Sequence, residues 1–173
     1  MMLVLRILRF FIDHYARLVT IAACAALFVA MVHVVADALS SRFLGRPIEG
    51  TFQIVTLYYM VALFFLPLGL TEKLDAHISA DLLHALLPVW LQRLMTFLAQ
   101  LAMAGFAGVL TWQAVEIALR QTRIGAFEDT ASFHLLIWPS RWIAVVGLVA
   151  FTLVAALKAV DLLFSRSSEA RDE

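Results

Sequence analysis

Residues 50–71 read GTFQIVTLYYMVALFFLPLGLT and contain no charged side chain, although Glu49 and Glu72 flank them directly. As an α-helix, these 22 residues have a length of about 33 Å, since each residue adds about 1.5 Å. The hydrocarbon core of a bilayer is about 30 Å thick. We therefore expect residues 51–71 to cross a membrane.

Three further stretches have the same character: residues 18–36, the interior of 94–116, and residues 142–157. The last is too short to cross alone, and residues 135–139 extend it, with Arg141 reaching the interface beside two tryptophans. The sequence predicts an all-α integral membrane protein with four transmembrane helices, at about residues 18–39, 51–71, 91–117 and 137–160. They form one domain, residues 1–164, before a polar tail, 165–173.

The composition excludes several classes of protein. Hydrophobic residues make up 63% of the chain and charged residues 15%, against about 25% charged in a soluble domain. Thirteen Lys and Arg balance thirteen Asp and Glu, so there is no basic tract for nucleic acid. Cys24 is the single cysteine, which rules out an intrachain disulfide or a CxxC redox site. A soluble enzyme, a disordered chain and a thiol oxidoreductase are all excluded.

The distribution of Lys and Arg predicts the orientation. If both termini are cytoplasmic, eight basic residues lie inside and five outside, which follows the positive-inside rule. The inner set is Arg6, Arg9, Arg17, Lys73, Arg93, Lys158, Arg166 and Arg171, and the outer set is Arg42, Arg46, Arg120, Arg123 and Arg141. The segment Ala36-Asp37-Ala38 resembles a signal-peptidase site, but the apolar stretch before it is too long for a signal peptide.

Two segments are amphipathic rather than spanning, and we expect both to lie along the membrane surface. At the N-terminus, Arg6, Arg9, Asp13 and Arg17 share one helical face. Between the second and third predicted spans, one face carries Lys73, His77, Asp81 and His84. The last three of these have the i, i+4, i+7 spacing of possible metal ligands, but a solvated polar face is the favoured interpretation.

Other ionisable residues lie close to the predicted outer boundary. His33 and Asp37 are one turn apart, and we favour a structural bond to a neighbouring helix or to Arg42 over a proton relay. Glu116, with Trp112 and Gln113 beside it, is interpreted as an interfacial charge near Arg120 and Arg123, the alternative being a contact with a partner or ion. The pair His33 and His134 is the one haem-ligand candidate, and it lacks the expected position deep in the bilayer.

The sequence contains small residues for helix packing but no catalytic constellation. Ala104 and Gly108 have the small-xxx-small spacing that lets membrane helices approach closely. There is no Ser-His-Asp arrangement, HExxH or P-loop, and no span has the mid-membrane glycine break that marks many transporter substrate sites. We expect no enzyme activity, no cofactor and no metal in this chain, which predicts an accessory or structural membrane subunit.

Three stretches resemble one known family. Residues 42–53 (RFLGRPIEGTFQ), residues 76–83 (AHISADLL) and residues 136–139 (LIWP) followed by Gly147 are similar, in order and spacing, to the small membrane subunit of tripartite ATP-independent periplasmic (TRAP) transporters, the DctQ-like family. The family usually has Glu where this chain has Gln53. The resemblance extends over nearly the whole chain.

The resemblance implies a subunit of the bacterial inner membrane that braces a large polytopic subunit during symport. That subunit would take up an organic acid with an ion gradient, typically sodium, and a periplasmic substrate-binding protein would deliver the acid. We expect partner contacts in the outer loops, residues 42–49 and 120–129, with these contact residues: Arg42, Arg46, Glu49, Gln53, Arg120 and Arg123. The alternatives are the small subunit of a tripartite tricarboxylate transporter, a four-helix b-type cytochrome, and a free-standing small transporter.

Overall fold

The computed structural model describes residues 2–74, 88–130 and 133–169. The elements, in chain order, are α1 (Met2–Leu44), α2 (Thr51–Ile54), a π-helical turn (Val55–Tyr59), α3 (Met60–Phe65), α4 (Leu68–Lys73), α5 (Val89–Arg123), β1 (Phe127–Asp129), β2 (His134–Leu136) and α6 (Trp138–Glu169). The chain is therefore nearly all-α.

Among the described residues, four helical stretches are long and apolar enough to cross a membrane, which confirms the predicted number. We call them span 1 (Arg9–Leu44), span 2 (Thr51–Lys73), span 3 (Leu94–Arg123) and span 4 (Trp138–Asp161). Span 2 joins α2, the π-helical turn, α3 and α4 into one membrane crossing. The last interruption of the regular α-helix in span 2 is at Pro67, which has no backbone N–H to donate and directly precedes α4.

The N-terminal amphipathic segment differs from the expected separate surface helix, because α1 runs without a break over 43 residues. Residues 2–44 contain neither Gly nor Pro, so nothing in this stretch favours a break in the helix. Within the segment, Ile12 and Ala16 are buried against Val154 of span 4. Its apolar face therefore packs partly on the protein.

The ends of two other helices also differ from the prediction. Span 3 stays helical to Arg123, so Arg120 and Arg123 lie in its last turn and not in a loop. α6 continues to Glu169, so the first part of the expected polar tail is helical. The second amphipathic segment, with His77, Asp81 and His84, lies outside the described residues.

Span 4 is the centre of the bundle and packs against each of the other three spans. In its most apolar window 44% of the residues are buried, compared with 6% in span 3, which packs mainly on span 4. A core cluster of Val19, Ala23, Ala62 and Leu66 joins spans 1 and 2. Spans 1, 2 and 4 thus form a compact group, and span 3 lies on one side of it.

Glycine sets the closest helix approach, between spans 2 and 4. A Cβ atom at Gly147 would overlap the backbone carbonyl of Phe65, and one at Gly69 would come within 2.9 Å of the Ala150 Cβ. Small residues permit such contacts between membrane helices. A Cβ atom at Gly108 would meet nothing within 4 Å in this chain, so close packing at Ala104 and Gly108 stays a prediction.

A short antiparallel hairpin was not predicted. β1 pairs with β2 through Phe127 opposite Leu136 and Asp129 opposite His134. The turn is closed by Thr130, whose N–H and hydroxyl both donate to the Phe133 carbonyl. The hairpin caps the end of the bundle opposite the chain termini. We call this end the hairpin end, and the end that carries Arg9 and Asp161 the terminal end.

Candidate functional site

The most deeply buried charge of the described residues lies at the terminal end. Glu72, the residue that ends the apolar run of span 2, is 2% exposed. Its Oε1 accepts a hydrogen bond of 2.9 Å from Gln100 of span 3, and it lies 3.9 Å from Lys158 Nζ of span 4. Lys158 also donates to the Glu72 backbone carbonyl. We call Glu72, Gln100 and Lys158 the terminal-end cluster.

The terminal-end cluster fixes three spans relative to one another. Gln100 Nε2 also donates to the Ala155 carbonyl at 3.3 Å, so one amide contacts both span 2 and span 4. A carboxylate removed from water is costly unless it has a counter-charge and hydrogen-bond donors, and here Glu72 has both. A different arrangement of these helices would separate Glu72 from Gln100 or Lys158 and leave its buried carboxylate without full compensation. Such arrangements are therefore unfavourable.

Two ion pairs join span 1 to the same end. Lys73 Nζ lies 2.8 Å from Asp13 Oδ2, and Arg9 pairs with Asp161 of span 4. Lys73, which we placed on the polar face of a surface helix, is therefore the last residue of α4 and bonds to α1. These pairs are substantially exposed, so each contributes at most about 1 kcal/mol.

At the hairpin end, His33 forms the expected structural bond to a neighbouring helix, whereas Asp37 bonds to the loop before that helix. His33 Nδ1 lies 3.2 Å from the Tyr59 hydroxyl, and its Nε2 lies 3.5 Å from the Thr51 hydroxyl. Asp37 Oδ1 accepts a hydrogen bond of 2.6 Å from the Ile48 N–H. Span 1 is thereby bonded to the start of span 2 and to the loop before it.

Two consecutive tyrosines of the π-helical turn bond to different neighbours. Tyr59 meets His33 of span 1, whereas the Tyr58 hydroxyl donates to the Leu136 carbonyl of the hairpin. A π-helical turn rotates the residues after it relative to an α-helix, and such turns occur frequently at functional positions.

The two loops of the hairpin end also touch. Gly50 adopts a left-handed conformation with φ of 80°. A Cβ atom there would overlap the ring of Phe133, which lies next to β2. This position therefore requires glycine both for its backbone conformation and for the space. The contact joins loop 45–50 to the hairpin, so this loop and the hairpin lie side by side.

The predicted contact residues all lie at the hairpin end. Arg42, Arg46, Glu49, Arg120 and Arg123 are exposed, and Gln53 is half-buried in the first turn of span 2. Within the described residues, none of the four arginines takes part in an ion pair. The Arg46 backbone carbonyl accepts a hydrogen bond from Ser40, which holds the loop while leaving the guanidinium outside.

The histidines proposed as a haem pair contact other residues of the chain. His134 pairs with Asp129 across the hairpin and packs edge-on against Phe127, whereas His33 bonds to Tyr59. Across residues 2–74, 88–130 and 133–169, no group of three His, Cys, Asp or Glu side chains is arranged to hold a metal ion.

Sequence reasoning missed the terminal-end cluster. It used Glu72 as the boundary of an apolar run and Lys158 as one of the inner basic residues. The available signal was Gln100, a long amide inside the third apolar run, because a polar side chain at that position needs a partner.

The bundle and its bonded ends define a multi-pass membrane protein whose charged residues hold helices together. A comparison with protein families assigns the chain to one of them. Residues 30–165 match the model for tripartite ATP-independent periplasmic transporters, DctQ component. The chain belongs to this family and is a small membrane subunit of a TRAP transporter. The tripartite system implies a large membrane component and a substrate-binding protein as its partners. No curated protein and no solved structure matched the chain.

Proposed function

We propose that this chain is a non-catalytic brace for the large membrane subunit, and that it receives the substrate-binding protein at the hairpin end. The large subunit then moves an organic acid inward with a sodium gradient. The observation that carries the proposal is the terminal-end cluster, in which Glu72, Gln100 and Lys158 tie three spans together. A brace must keep its shape while its partner moves, and a buried charge network opposes rearrangement.

The hairpin end supports the receiving role. With both termini in the cytoplasm of a bacterial inner-membrane protein, the surface formed by loop 45–50 and the hairpin lies in the periplasm. Its exposed charges have both signs, among them Arg46, Arg123 and Glu128. Mixed charges at the rim of a contact favour fast association and easy release, which a delivery cycle needs.

The bracing role is tested by reconstituting the large subunit into liposomes with and without this chain. We expect the large subunit alone to unfold at a lower temperature and to lose uptake of the delivered acid. Lys158→Met, which disrupts the terminal-end cluster, should lower the unfolding temperature of the complex, whereas Arg141→Met should not. Full uptake and unchanged stability of the large subunit alone would refute the bracing role.

The receiving role is tested by reversing Arg42, Arg46, Arg120 and Arg123 to Glu together. We expect an intact membrane complex, a higher KM for the loaded binding protein, and a weaker dependence of KM on salt. Reversing the exposed Arg17 at the terminal end provides the control and should leave KM unchanged. If the unsubstituted chain, the fourfold variant and the control variant have the same KM and the same dependence of KM on salt, docking at the hairpin end is excluded.

A further inference from the structure

Glu116 of span 3 points directly away from the bundle. Ala107, nine residues earlier, is completely buried against the bundle, and nine residues at about 100° each bring the helix to its opposite side. Glu116 is exposed. Its face also includes Gly105, Val109 and Trp112, which lie within about 40° of it at the same angular step. We call these four residues the Glu116 face.

The depth of Glu116 follows from its neighbours along the helix. The Trp142 Nε1–H donates to the Thr122 hydroxyl at 3.0 Å, which aligns these two positions. Tryptophan is typical of the membrane–water interface. Glu116 precedes Thr122 by six residues, about 9 Å of helix. Further along, the Thr111 and Thr152 hydroxyls meet at 2.8 Å inside the bundle. Glu116 therefore lies on the hydrocarbon side of Trp142, between the depths of Trp142 and Trp112.

A carboxylate facing lipid at this depth is unfavourable, because hydrocarbon offers neither counter-charge nor hydrogen-bond donor. In the described part of the chain, the Glu116 side chain forms no ion pair and no hydrogen bond. Gln113, also exposed, adds a second polar group next to it. Asp37, the acidic residue near the corresponding end of span 1, accepts a hydrogen bond from the Ile48 N–H. Glu116 has no such partner among the described residues.

The rest of the Glu116 face is shaped to receive another helix. Trp112 is 72% exposed and Val109 is 70% exposed, and both project beside a gap at Gly105, where a Cβ atom would meet nothing within 4 Å. Projecting side chains next to a glycine gap suit close packing against a second membrane helix.

We propose that the Glu116 face docks the large membrane subunit, and that a Lys, Arg or other hydrogen-bond donor of that subunit meets the Glu116 carboxylate within the membrane. The inference rests on the proposed function, which supplies the partner. Charge complementarity selects the partner's chemistry: a membrane helix with a cationic or donor group at the depth of Glu116. Span 3 is the least buried of the four spans, with 6% of its most apolar window buried, so a large part of its surface is available to a partner.

Photo-crosslinking in the intact complex tests the docking face. The residue p-benzoylphenylalanine replaces Trp112 in one sample and Phe28 of span 1, which is 68% exposed, in the other. We expect the large subunit to be captured from position 112 and not from position 28. Capture from position 28 alone refutes the Glu116 face and leaves the proposed function intact. Capture of a second copy of this chain from position 112 refutes it as well. A large subunit that does not co-purify with the unsubstituted chain refutes the proposed function itself.

The role of the carboxylate is tested by Glu116→Gln. We expect the dissociation constant of the two membrane subunits in detergent to rise about tenfold, since a charge-assisted bond is replaced by a neutral one. Glu128→Gln in the hairpin is the matched control and should leave it unchanged. Gly105→Trp should weaken the complex by filling the gap, whereas Ala25→Trp on the exposed side of span 1 should not. Unchanged dissociation constants for both span 3 variants would overturn the proposal.

Discussion

At the terminal end of the bundle, side chains of opposite charge meet one another, whereas at the hairpin end most side-chain bonds go to backbone atoms. Lys158 and Gln100 surround the buried Glu72 carboxylate. In contrast, Tyr58 donates to the Leu136 carbonyl, and Asp37 accepts from the Ile48 N–H. Bonds between side chains specify which helices meet, while bonds to backbone atoms hold the loops in place. The difference indicates that one end fixes the helix arrangement and the other presents a surface.

The largest effect is expected when the terminal-end cluster loses its cation. Lys158→Met leaves Glu72 buried with Gln100 but without a counter-charge, and we expect a loss of about 3 kcal/mol in the free energy of unfolding. Unfolding in detergent micelles measures it. Arg141→Met at the hairpin end is the control, with an expected change below about 0.5 kcal/mol.

A double variant separates charge from packing at this cluster. If Glu72→Gln is added to Lys158→Met, no buried charge remains, and most of the lost stability should return. Equal stability of Lys158→Met and Arg141→Met would show that the terminal-end cluster does not stabilise the bundle.

An intermediate effect is expected between the two ends, where spans 2 and 4 approach most closely. Gly147→Ala places a methyl group against the Phe65 carbonyl, and the helices must separate at a cost of about 1–3 kcal/mol. Gly108→Ala, which enters open space, should be neutral or slightly stabilising. The same unfolding assay measures both. If both variants behave alike, the close approach at Gly147 is not what determines the spacing.

The smallest effect is expected at the hairpin end. Tyr58→Phe removes one hydrogen bond to the Leu136 carbonyl, for about 0.5–1.5 kcal/mol, and amide hydrogen exchange in β1 and β2 should become faster. Tyr15→Phe removes a comparable bond of 3.1 Å, to the Val146 carbonyl. That control should lower stability similarly without changing exchange in the hairpin. Faster hairpin exchange in both variants would mean that Tyr58 does not hold the hairpin locally.

The four spans were predictable from the sequence because charge exclusion from hydrocarbon is a local property of each stretch. The structural role of His33 and Asp37 was also predictable from local sequence. Both residues lie near the membrane boundary, where bonding partners are within reach. Helix ends were less predictable. Arg120 and Arg123 continue span 3 because nothing before Gly125, which has φ of 58°, interrupts the helix.

Contacts between spans were not predictable, because they depend on how the helices are rotated and staggered. Glu72, Gln100 and Lys158 are far apart in the sequence, and their common depth and facing directions emerge only from the packed bundle. The hairpin is equally dependent on its surroundings: each strand has three residues, and such short strands form by pairing rather than by intrinsic preference. Sequence periodicity contains no information on either arrangement.

The unbroken α1 helix has a consequence for how the subunit fits its lipid. Its 43 residues span about 65 Å, yet the uncharged part between Arg17 and Asp37 is only about 28 Å long, close to the hydrocarbon thickness. Span 1 is bonded to span 2 at both ends, through Asp13 with Lys73 and through His33 with Tyr59. A thicker or thinner bilayer therefore acts on the two helices as one body. Mismatch is then met by a shared tilt or by deformation of the surrounding lipid, at a fraction of a kcal/mol for each ångström.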